Sequence, residues 1–152
     1  MCDRDLEFRE SAALGICDEW QAGIGAFCEA ARREFSPECV ILVGSVAEGT
    51  YTKASDIDVI VISGRFEEDF LARLRRLAEL RPTGIPLEPL GYTPDEFRRM
   101  LSEGHVTALE AYYKGVPLLG SAWFHKEREA FVDLQSQGLR RSGRSWTLPP
   151  GR

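Results

Sequence analysis

Two aspartates spaced two residues apart, Asp56 and Asp58, stand at the start of a β-branched run. Side chains at positions i and i+2 of a strand point to the same face of a sheet, so these carboxylates are predicted to be neighbours. Adjacent carboxylates repel each other unless a cation lies between them. An earlier apolar run, residues 40–43, ends at Gly44 and Ser45, a turn that could let backbone approach a phosphate closely. Together the two features predict a divalent metal and a nucleotide.

Transfer of a nucleotidyl group from a triphosphate needs groups of this kind. The triphosphate must be held, the attacking oxygen activated, and the charge on the entering and leaving oxygens neutralised. Two Mg²⁺ ions about 4 Å apart, or Mn²⁺ in their place, can meet the last two needs, and such cations prefer carboxylate oxygens. Asp56 and Asp58 are the candidate shared ligands. Gly44, the Ser45 hydroxyl and the N–H groups of a short helix beginning there are candidates for holding phosphate.

A third carboxylate is expected on a neighbouring strand, on the side of the attacking hydroxyl. Glu88 is the best candidate, because it is the only acid in the extended segment at residues 85–92. Pro86 and Pro89 cannot donate to a ladder, so this segment is predicted to be an edge or irregular strand. Glu88 would help to hold the metal that lowers the pKa of the nucleophile, and could accept its proton. The acids at residues 67–69 are less favoured, because acids suit a helix start without any catalytic role.

Composition limits the class of protein. The chain has 152 residues, 43% of them hydrophobic, and a net charge of −5, which is typical of one globular domain. No apolar run approaches the ~20 residues that span a membrane, and the charged N-terminus lacks a signal-peptide pattern, so a cytoplasmic location is expected. The negative charge argues against an extended nucleic-acid surface but not against a nucleotide. The four scattered cysteines are predicted to be core residues rather than zinc ligands.

Helical and extended patterns alternate, which predicts one α/β or α+β domain over residues 1–137, with a small mixed sheet flanked by helices. Strands are expected at residues 39–43, 57–62, 85–92 and 116–119. Helices are expected at residues 6–35, 67–80, 94–102, 106–114 and 122–137. The third of these helices should open with a capping box formed by Thr93 and Glu96. The second should face the core with an apolar stripe, and its basic residues should lie on the opposite face. The stripe consists of Phe70, Leu71, Leu74, Leu77 and Ala78.

The two last segments of the chain each have two interpretations. Residues 138–152 form a basic tail, whose composition favours a flexible end over an arm that docks on a partner or acidic substrate through Trp146. The last helix carries an apolar stripe of Phe124, Phe131 and Leu134. Packing on the core is favoured for this stripe, and an interface, including one within a homo-oligomer, is the alternative.

The segment at residues 43–63 resembles the signature of the polymerase-beta-type nucleotidyltransferase superfamily, in its small stand-alone form. The family pattern is Gly-Ser, a glycine four residues after the serine, and Ser-Asp-x-Asp opening the next strand. This chain matches it at Gly44, Ser45, Gly49, Ser55, Asp56 and Asp58. The stretch at residues 86–101 is similar to a branch whose third acid falls in such a strand, which implies that role for Glu88. The resemblance covers roughly residues 35–120.

The resemblance implies a polymerase-beta-like fold and a set of functional residues. The implied catalytic and metal-binding residues are Asp56, Asp58 and Glu88. The implied nucleotide-binding residues are Gly44, Ser45, Lys53 and Ser55. One position departs from the pattern, because many members have an arginine just before the second glycine and this chain has Glu48. An acid there would repel phosphate unless it points away, and Lys53 of the same loop could compensate.

The implied activity is Mg²⁺-dependent transfer of a nucleoside monophosphate from a triphosphate, with ATP as the expected donor, to a hydroxyl. Small stand-alone members often act as antitoxins beside a helical HEPN-type partner, whose tyrosine or other hydroxyl they modify, so such a protein partner is expected. The alternatives are a catalytically degenerate scaffold that binds nucleotide or partner, and a small-molecule nucleotidyltransferase. A processive polymerase is not favoured, because a template groove needs more basic surface.

Overall fold

A computed structural model describes residues 15–151 of the chain. In chain order its first elements are α1 (Asp18–Phe35), β1 (Cys39–Val43), α2 (Gly44–Glu48), β2 (Ile57–Ile62), α3 (Phe70–Glu79) and β3 (Leu87–Tyr92). The others are α4 (Pro94–Ser102), α5 (Val106–Lys114), β4 (Val116–Leu119), α6 (Ser121–Ser136), β5 (Arg140–Ser142) and β6 (Ser145–Thr147). Strands β1 to β4 form one sheet in the order β3-β2-β1-β4. The predicted α/β domain with a small sheet flanked by helices is therefore confirmed.

The sheet is mixed. Strand β1 runs antiparallel to both of its neighbours, β2 and β4, whereas β2 and β3 are parallel and are joined through α3. A parallel pair needs a crossover of this kind, while antiparallel strands can be joined by a short turn. The central strands read as continuous apolar runs because both faces of the sheet are covered. Three predicted strands, at residues 39–43, 57–62 and 116–119, have the bounds expected from the sequence.

Two apolar cores lie on opposite faces of the sheet. The first includes buried residues of α1 and one face of β2, among them Ile24, Phe27, Phe35, Val59 and Val61. The second includes the other face of β2 and residues of α4, α5 and α6, among them Ile60, Phe97, Tyr112, Phe124, Phe131 and Leu134. The apolar stripe on the last helix therefore packs on the core, as the favoured interpretation held. Alternation along β2 explains the division, because successive side chains of a strand point to opposite faces.

Strand β3 is an edge strand, as its prolines predicted. The carbonyl of Pro86 accepts a hydrogen bond from Ile57 N, and that of Tyr92 accepts one from Ser63 N. Even-numbered residues of this strand therefore direct their backbone groups at β2, since these directions alternate along a strand. The backbone of Pro89, an odd-numbered residue, is therefore directed away from β2. Its missing N–H removes no hydrogen bond from the sheet there and discourages pairing with another strand.

Helix α3 differs from its prediction at both its start and its buried face. It begins at Phe70 rather than at residue 67, because the Asp69 carboxylate accepts a hydrogen bond from Leu71 N (3.0 Å) and caps the helix. Leu71 is 62% exposed, whereas Arg73 is 1% exposed. The predicted orientation, with the apolar stripe inward and the basic residues opposite, is therefore wrong at these two positions and at Phe70, which is 37% exposed.

The buried Arg73 guanidinium is held by a carboxylate and three backbone carbonyls. Its Nη1 and Nη2 lie 2.6 Å and 3.1 Å from the two carboxylate oxygens of Glu96. It also donates to the carbonyls of Glu67 (2.9 Å), Gly91 (3.3 Å) and Glu68 (3.4 Å). A buried charge is tolerated when it is paired and hydrogen-bonded in this way. Arg73 thus ties α3 to the edge strand β3 and to the start of α4.

Glu96 serves both this ion pair and the start of α4. Its carboxylate accepts a hydrogen bond from Thr93 N (2.7 Å), and Glu96 N donates to the Thr93 hydroxyl (3.2 Å). The predicted capping box is therefore present, with Pro94 in the first turn. Because one carboxylate satisfies a helix terminus and a buried cation, its loss should affect both.

The two ends of the described chain bear on the remaining sequence predictions. Helix α1 starts at Asp18, so residues 15–17 are not helical, and the part of the predicted helix at residues 6–14 lies outside the described residues. Strands β5 and β6 pair as an antiparallel hairpin with Arg141 opposite Trp146. The Trp146 ring meets the Tyr113 ring edge-on, with centroids 5.4 Å apart. The sequence favoured a flexible end over a docking arm for this basic segment, and in the structure its Trp146 packs on Tyr113 of α5 and Phe131 of α6. None of the helices between residues 15 and 151 combines the length and apolar character needed to cross a membrane.

We predict that Glu96→Gln destabilises the protein in a pH-dependent manner. The hydrogen bond from Arg73 lowers the pKa of Glu96 below its ordinary value of 4.5. A carboxylate whose pKa is lowered by folding stabilises the protein at pH values above its ordinary pKa. This stabilisation is lost as the pH falls through the lowered pKa. The variant should lose about 2 kcal/mol of unfolding free energy at neutral pH. This deficit should shrink as the pH falls below the ordinary pKa of a glutamate carboxyl. Urea denaturation at pH 7, 4 and 3 measures this. The exposed acid Glu129, changed to glutamine, is the control, and a deficit that is constant with pH would contradict the ion-pair explanation.

Candidate active site

The predicted acids lie together where β2 and β3 begin. The parallel register pairs Asp58 of β2 with Glu88 of β3, so both side chains point to the same face of the sheet. Asp56 precedes Asp58 by two residues. Burial raises the pKa of Asp58, and the negative charges of Asp56 and Glu88 raise it further. Asp56 and Glu88 are therefore each close enough to repel Asp58.

Gly44 lies against the carboxylate of Asp58. Strand β1 pairs Val43 with Asp58, so the turn at Gly44 comes next to this acid. Gly44 has φ +75°, and a Cβ placed on it would lie 2.7 Å from Asp58 Oδ2. Glycine is required on both counts, since left-handed backbone disfavours a side chain and the contact leaves no room for one. The sequence suggested that this glycine makes room for phosphate, and the structure adds that it makes room for the carboxylate.

Ser45 lies in the first turn of α2, the short helix that follows this glycine. The residue before the helix, Val43, provides no side-chain cap, so the first backbone N–H groups have no such acceptor. Gly49, which follows the last helical residue, caps the helix with φ +76°. Ser45 is half-buried and its carbonyl accepts from Thr50 N (3.0 Å), which folds the chain back after α2. The serine hydroxyl is thus placed beside the Gly44 turn.

Ser55 and Lys53 lie in the loop that leads from α2 to β2. The Ser55 hydroxyl accepts a hydrogen bond from Thr52 N (2.9 Å), and Ser55 N donates to the Thr52 carbonyl (3.1 Å). Ser55 therefore fixes the turn that delivers Asp56 to the site. Lys53 is exposed on this loop. Their predicted roles in nucleotide binding stay predictions.

Glu88 has a partner that the sequence analysis did not anticipate. Its Oε1 lies 3.4 Å from Nη1 of Arg81, and its side chain is 55% exposed. Ion pairs that face water are weak, contributing about 0–1 kcal/mol. Arg81 follows α3 in the chain and is seven positions from Glu88. Such a spacing between a helix end and a strand carries no periodic signal, so sequence patterns could not reveal the pair.

The match to a known family bears directly on these residues. Residues 25–90 match the family model described as a nucleotidyltransferase domain. This span includes the Gly44 turn and the three acids. Residues 25–90 thus form a nucleotidyltransferase domain. The catalytic class expected from the motif, a nucleotidyltransferase, is therefore confirmed.

Two solved structures are similar to this nucleotidyltransferase. One is a crystal structure of a toxin-antitoxin with AMP-PNP, with 18% identity over 72% of this chain and 88% of that chain, at a TM-score of 0.44. The other is a mutant of the toxin-antitoxin MntA-HpeT, with 15% identity over 72% of this chain and 87% of that chain, at a TM-score of 0.43. No curated protein matches the chain.

The residues of the nucleotidyltransferase site fit a divalent cation in part. Asp56 and Asp58 offer carboxylate oxygens, the donors that Mg²⁺ prefers. The pKa of Asp58 is raised first by burial and then by neighbouring negative charge, and a cation would relieve the second effect. Within residues 15–151, however, no three Asp, Glu, His or Cys side chains are arranged as a metal-binding group. Glu88 contacts Arg81 instead, so a third ligand would require its carboxylate to leave that exposed pair.

We predict that Gly44→Ala damages the site more than the same change at Gly49. Both glycines have φ near +75°, so each alanine meets the same backbone strain, about 1 kcal/mol or more. Only Gly44 has a carboxylate in the way, since nothing lies within 4 Å of a Cβ placed at Gly49. Gly44→Ala should therefore displace Asp58 and weaken Mg²⁺-dependent nucleotide binding, while Gly49→Ala should affect only stability. Thermal unfolding and calorimetric titration of both variants test this, and equal loss of binding in the two would refute the role given to the contact.

Proposed function

We propose that this nucleotidyltransferase moves AMP from ATP to a hydroxyl group on a partner protein, with Mg²⁺ as its cofactor. The observation that carries the proposal is the register of β2 and β3, which puts Asp58 and Glu88 side by side. The Gly44 turn, packed against Asp58, adds a place where a polyphosphate could approach the acids.

The proposed reaction is a single displacement at phosphorus. The acceptor hydroxyl oxygen attacks the α-phosphorus, and the bond from this phosphorus to the oxygen bridging to the β-phosphate breaks. Pyrophosphate leaves with the bonding electrons, and the hydroxyl proton passes to a carboxylate, for which Glu88 is the candidate. A bound divalent cation would neutralise charge on the entering and leaving oxygens, and Asp56 and Asp58 would hold it.

The remaining predicted residues would bind the nucleotide. Gly44 and Ser45 would hold the β- and γ-phosphates through backbone N–H groups and the serine hydroxyl. Lys53, on the exposed loop, could reach a phosphate from the opposite end of α2, and Ser55 would keep that loop in place. These groups fix the triphosphate tail and leave the identity of the base open, so ATP is proposed from the family resemblance alone.

A protein acceptor is favoured by the position of the acids at an open edge of the sheet. Glu88 is exposed on the edge strand, and Leu90, on the same face two residues later, is 36% exposed. A large partner could therefore approach the acidic group from the β3 side. From the motif's resemblance to small stand-alone members, we propose a helical HEPN-type toxin as this partner, with the chain as its cytoplasmic antitoxin.

One observation favours a second candidate function, that of a scaffold which binds nucleotide or partner without turnover. Glu88 is paired with Arg81, and within residues 15–151 no third ligand joins the two aspartates. A domain that kept the Gly44 turn and the paired aspartates could still bind a metal-nucleotide complex. Binding and transfer therefore need separate measurements.

We predict that ATP binds in the presence of Mg²⁺ and that the paired aspartates are required. Isothermal titration should show binding by the wild type and at least a tenfold loss, about 1.4 kcal/mol, in Asp56→Asn/Asp58→Asn. The control is Asp95→Asn/Asp133→Asn, which makes the same change in charge at exposed positions on α4 and α6. Absence of binding by the wild type, or equal binding by the two double variants, would remove the basis for the proposed site.

We predict that transfer, as distinct from binding, depends on Glu88. ATP labelled at the α-phosphate should label a protein acceptor, whereas ATP labelled at the γ-phosphate should not, because pyrophosphate leaves. Glu88→Gln should slow labelling about 100-fold if the carboxylate accepts the proton, with Glu67→Gln as the control. Label transfer that is insensitive to Glu88→Gln would exclude this residue as the base. Nucleotide binding with no label on candidate proteins, including HEPN-type ones, would favour the scaffold.

A further inference from the structure

The ion pair of Arg81 with Glu88 is made around the exposed edge of the sheet. Glu88 lies beside Asp58 in the register of β2 and β3, on the face that also carries the buried Ile60. Helix α3, which Arg81 follows in the chain, covers the opposite face, where its Leu77 is buried in the first core. The two side chains therefore meet at the outer edge of β3, and they are 44% and 55% exposed there.

This contact draws the Glu88 carboxylate outward from the paired aspartates. Its Oε1 lies 3.4 Å from Nη1 of Arg81, a guanidinium that comes from the far face of the sheet. Like charges in adjacent positions of two strands are unfavourable, so Asp58 repels Glu88 in the same direction in which Arg81 attracts it. In the described part of the chain, no third acid is accordingly grouped with the two aspartates for a metal.

Arg81 is held at the end of α3 independently of Glu88. Its backbone N–H and its Nε both donate to the carbonyl of Ala78, at 3.2 Å and 3.4 Å. A cation near the C-terminus of a helix also interacts favourably with the helix dipole. Because these interactions do not involve Glu88, the arginine can stay in place while the carboxylate moves.

We propose that Arg81 is a positioning residue that holds Glu88 at the outer edge of β3, so that a divalent cation at Asp58 competes with its guanidinium for this carboxylate. The inference rests on the proposed function, because it takes the paired aspartates as the metal site. Arg81 thereby sets the affinity for the metal through Glu88, without itself contacting metal, nucleotide or acceptor.

Titration with Mn²⁺, followed through the electron paramagnetic resonance signal of the free ion, tests this competition. Arg81→Gln should raise the affinity for Mn²⁺ about twofold to fivefold, because an exposed ion pair no longer has to be broken. In a Glu88→Gln background the same change should have no such effect, because no carboxylate is left to release. Arg75→Gln removes the same charge from an exposed position on α3, and this matched control should bind Mn²⁺ nearly as the wild type does.

Further outcomes separate this role from support of the fold and from a general effect of charge. Arg81→Lys keeps a cation at the helix end and should stay close to the wild type, and thermal unfolding of each variant should change little. Unchanged or weaker Mn²⁺ binding in Arg81→Gln would overturn the inference, and so would an equal gain in the Glu88→Gln background. Both results leave the proposed function intact.

Titration of the wild type and of Asp56→Asn/Asp58→Asn comes first, because it tests the metal site itself. Mn²⁺ binding that is lost in the double variant supports the site on which the inference rests. A wild type that binds no Mn²⁺, or binds it equally well without the two carboxylates, would overturn the proposed function together with the role of Arg81.

Discussion

The parallel pairing of β2 with β3 is the constraint on which the site depends. It places Asp58 directly beside Glu88, although like charges in adjacent positions are unfavourable. The sheet can impose this arrangement because residues of β2 beyond the acid, such as Val59 and Ile60, are buried in the two cores on its opposite faces. A shift of one residue would move each of these side chains to the wrong face. Burial of the strands therefore fixes the acids in a position that their charges oppose.

The edge strand that carries Glu88 is held in place by the ion pair of the buried Arg73 with the partly exposed Glu96. Arg73 reaches from α3 to the carbonyl of Gly91 and to the carboxylate of Glu96, and so joins three elements around β3. Burial of an arginine is unfavourable unless all its donors find acceptors, which makes this arrangement specific as well as strong. Since α3 is the crossover between β2 and β3, the same contact helps to hold the two acidic strands in their parallel pairing.

Local patterns in the sequence predicted local structure well, but they could not predict contacts between residues that are distant in the chain. The apolar run at residues 39–43 and the Thr93–Glu96 capping box each depend on a few neighbouring residues, and both are present as predicted. Periodicity failed in α3, because it could not show that Arg73 would reach the Gly91 carbonyl of β3 and the Glu96 carboxylate of α4. The Arg81–Glu88 pair and the contact of Trp146 with Tyr113 of α5 likewise depend on how elements pack. The motif identified the acids, but their partners required the structure.

The charges around the site suggest where a cation would bind most favourably. One of the acids near Asp58, Glu88, has an arginine partner, Arg81. The charges that shift the pKa of Asp58, by contrast, are all negative, and they act on a half-buried carboxylate that water screens only in part. A cation would therefore relieve more like-charge repulsion at Asp58 than at Glu88. Because the exposed pair of Glu88 with Arg81 is weak, a cation bound at Asp58 could draw Glu88 away from Arg81 at little energetic cost.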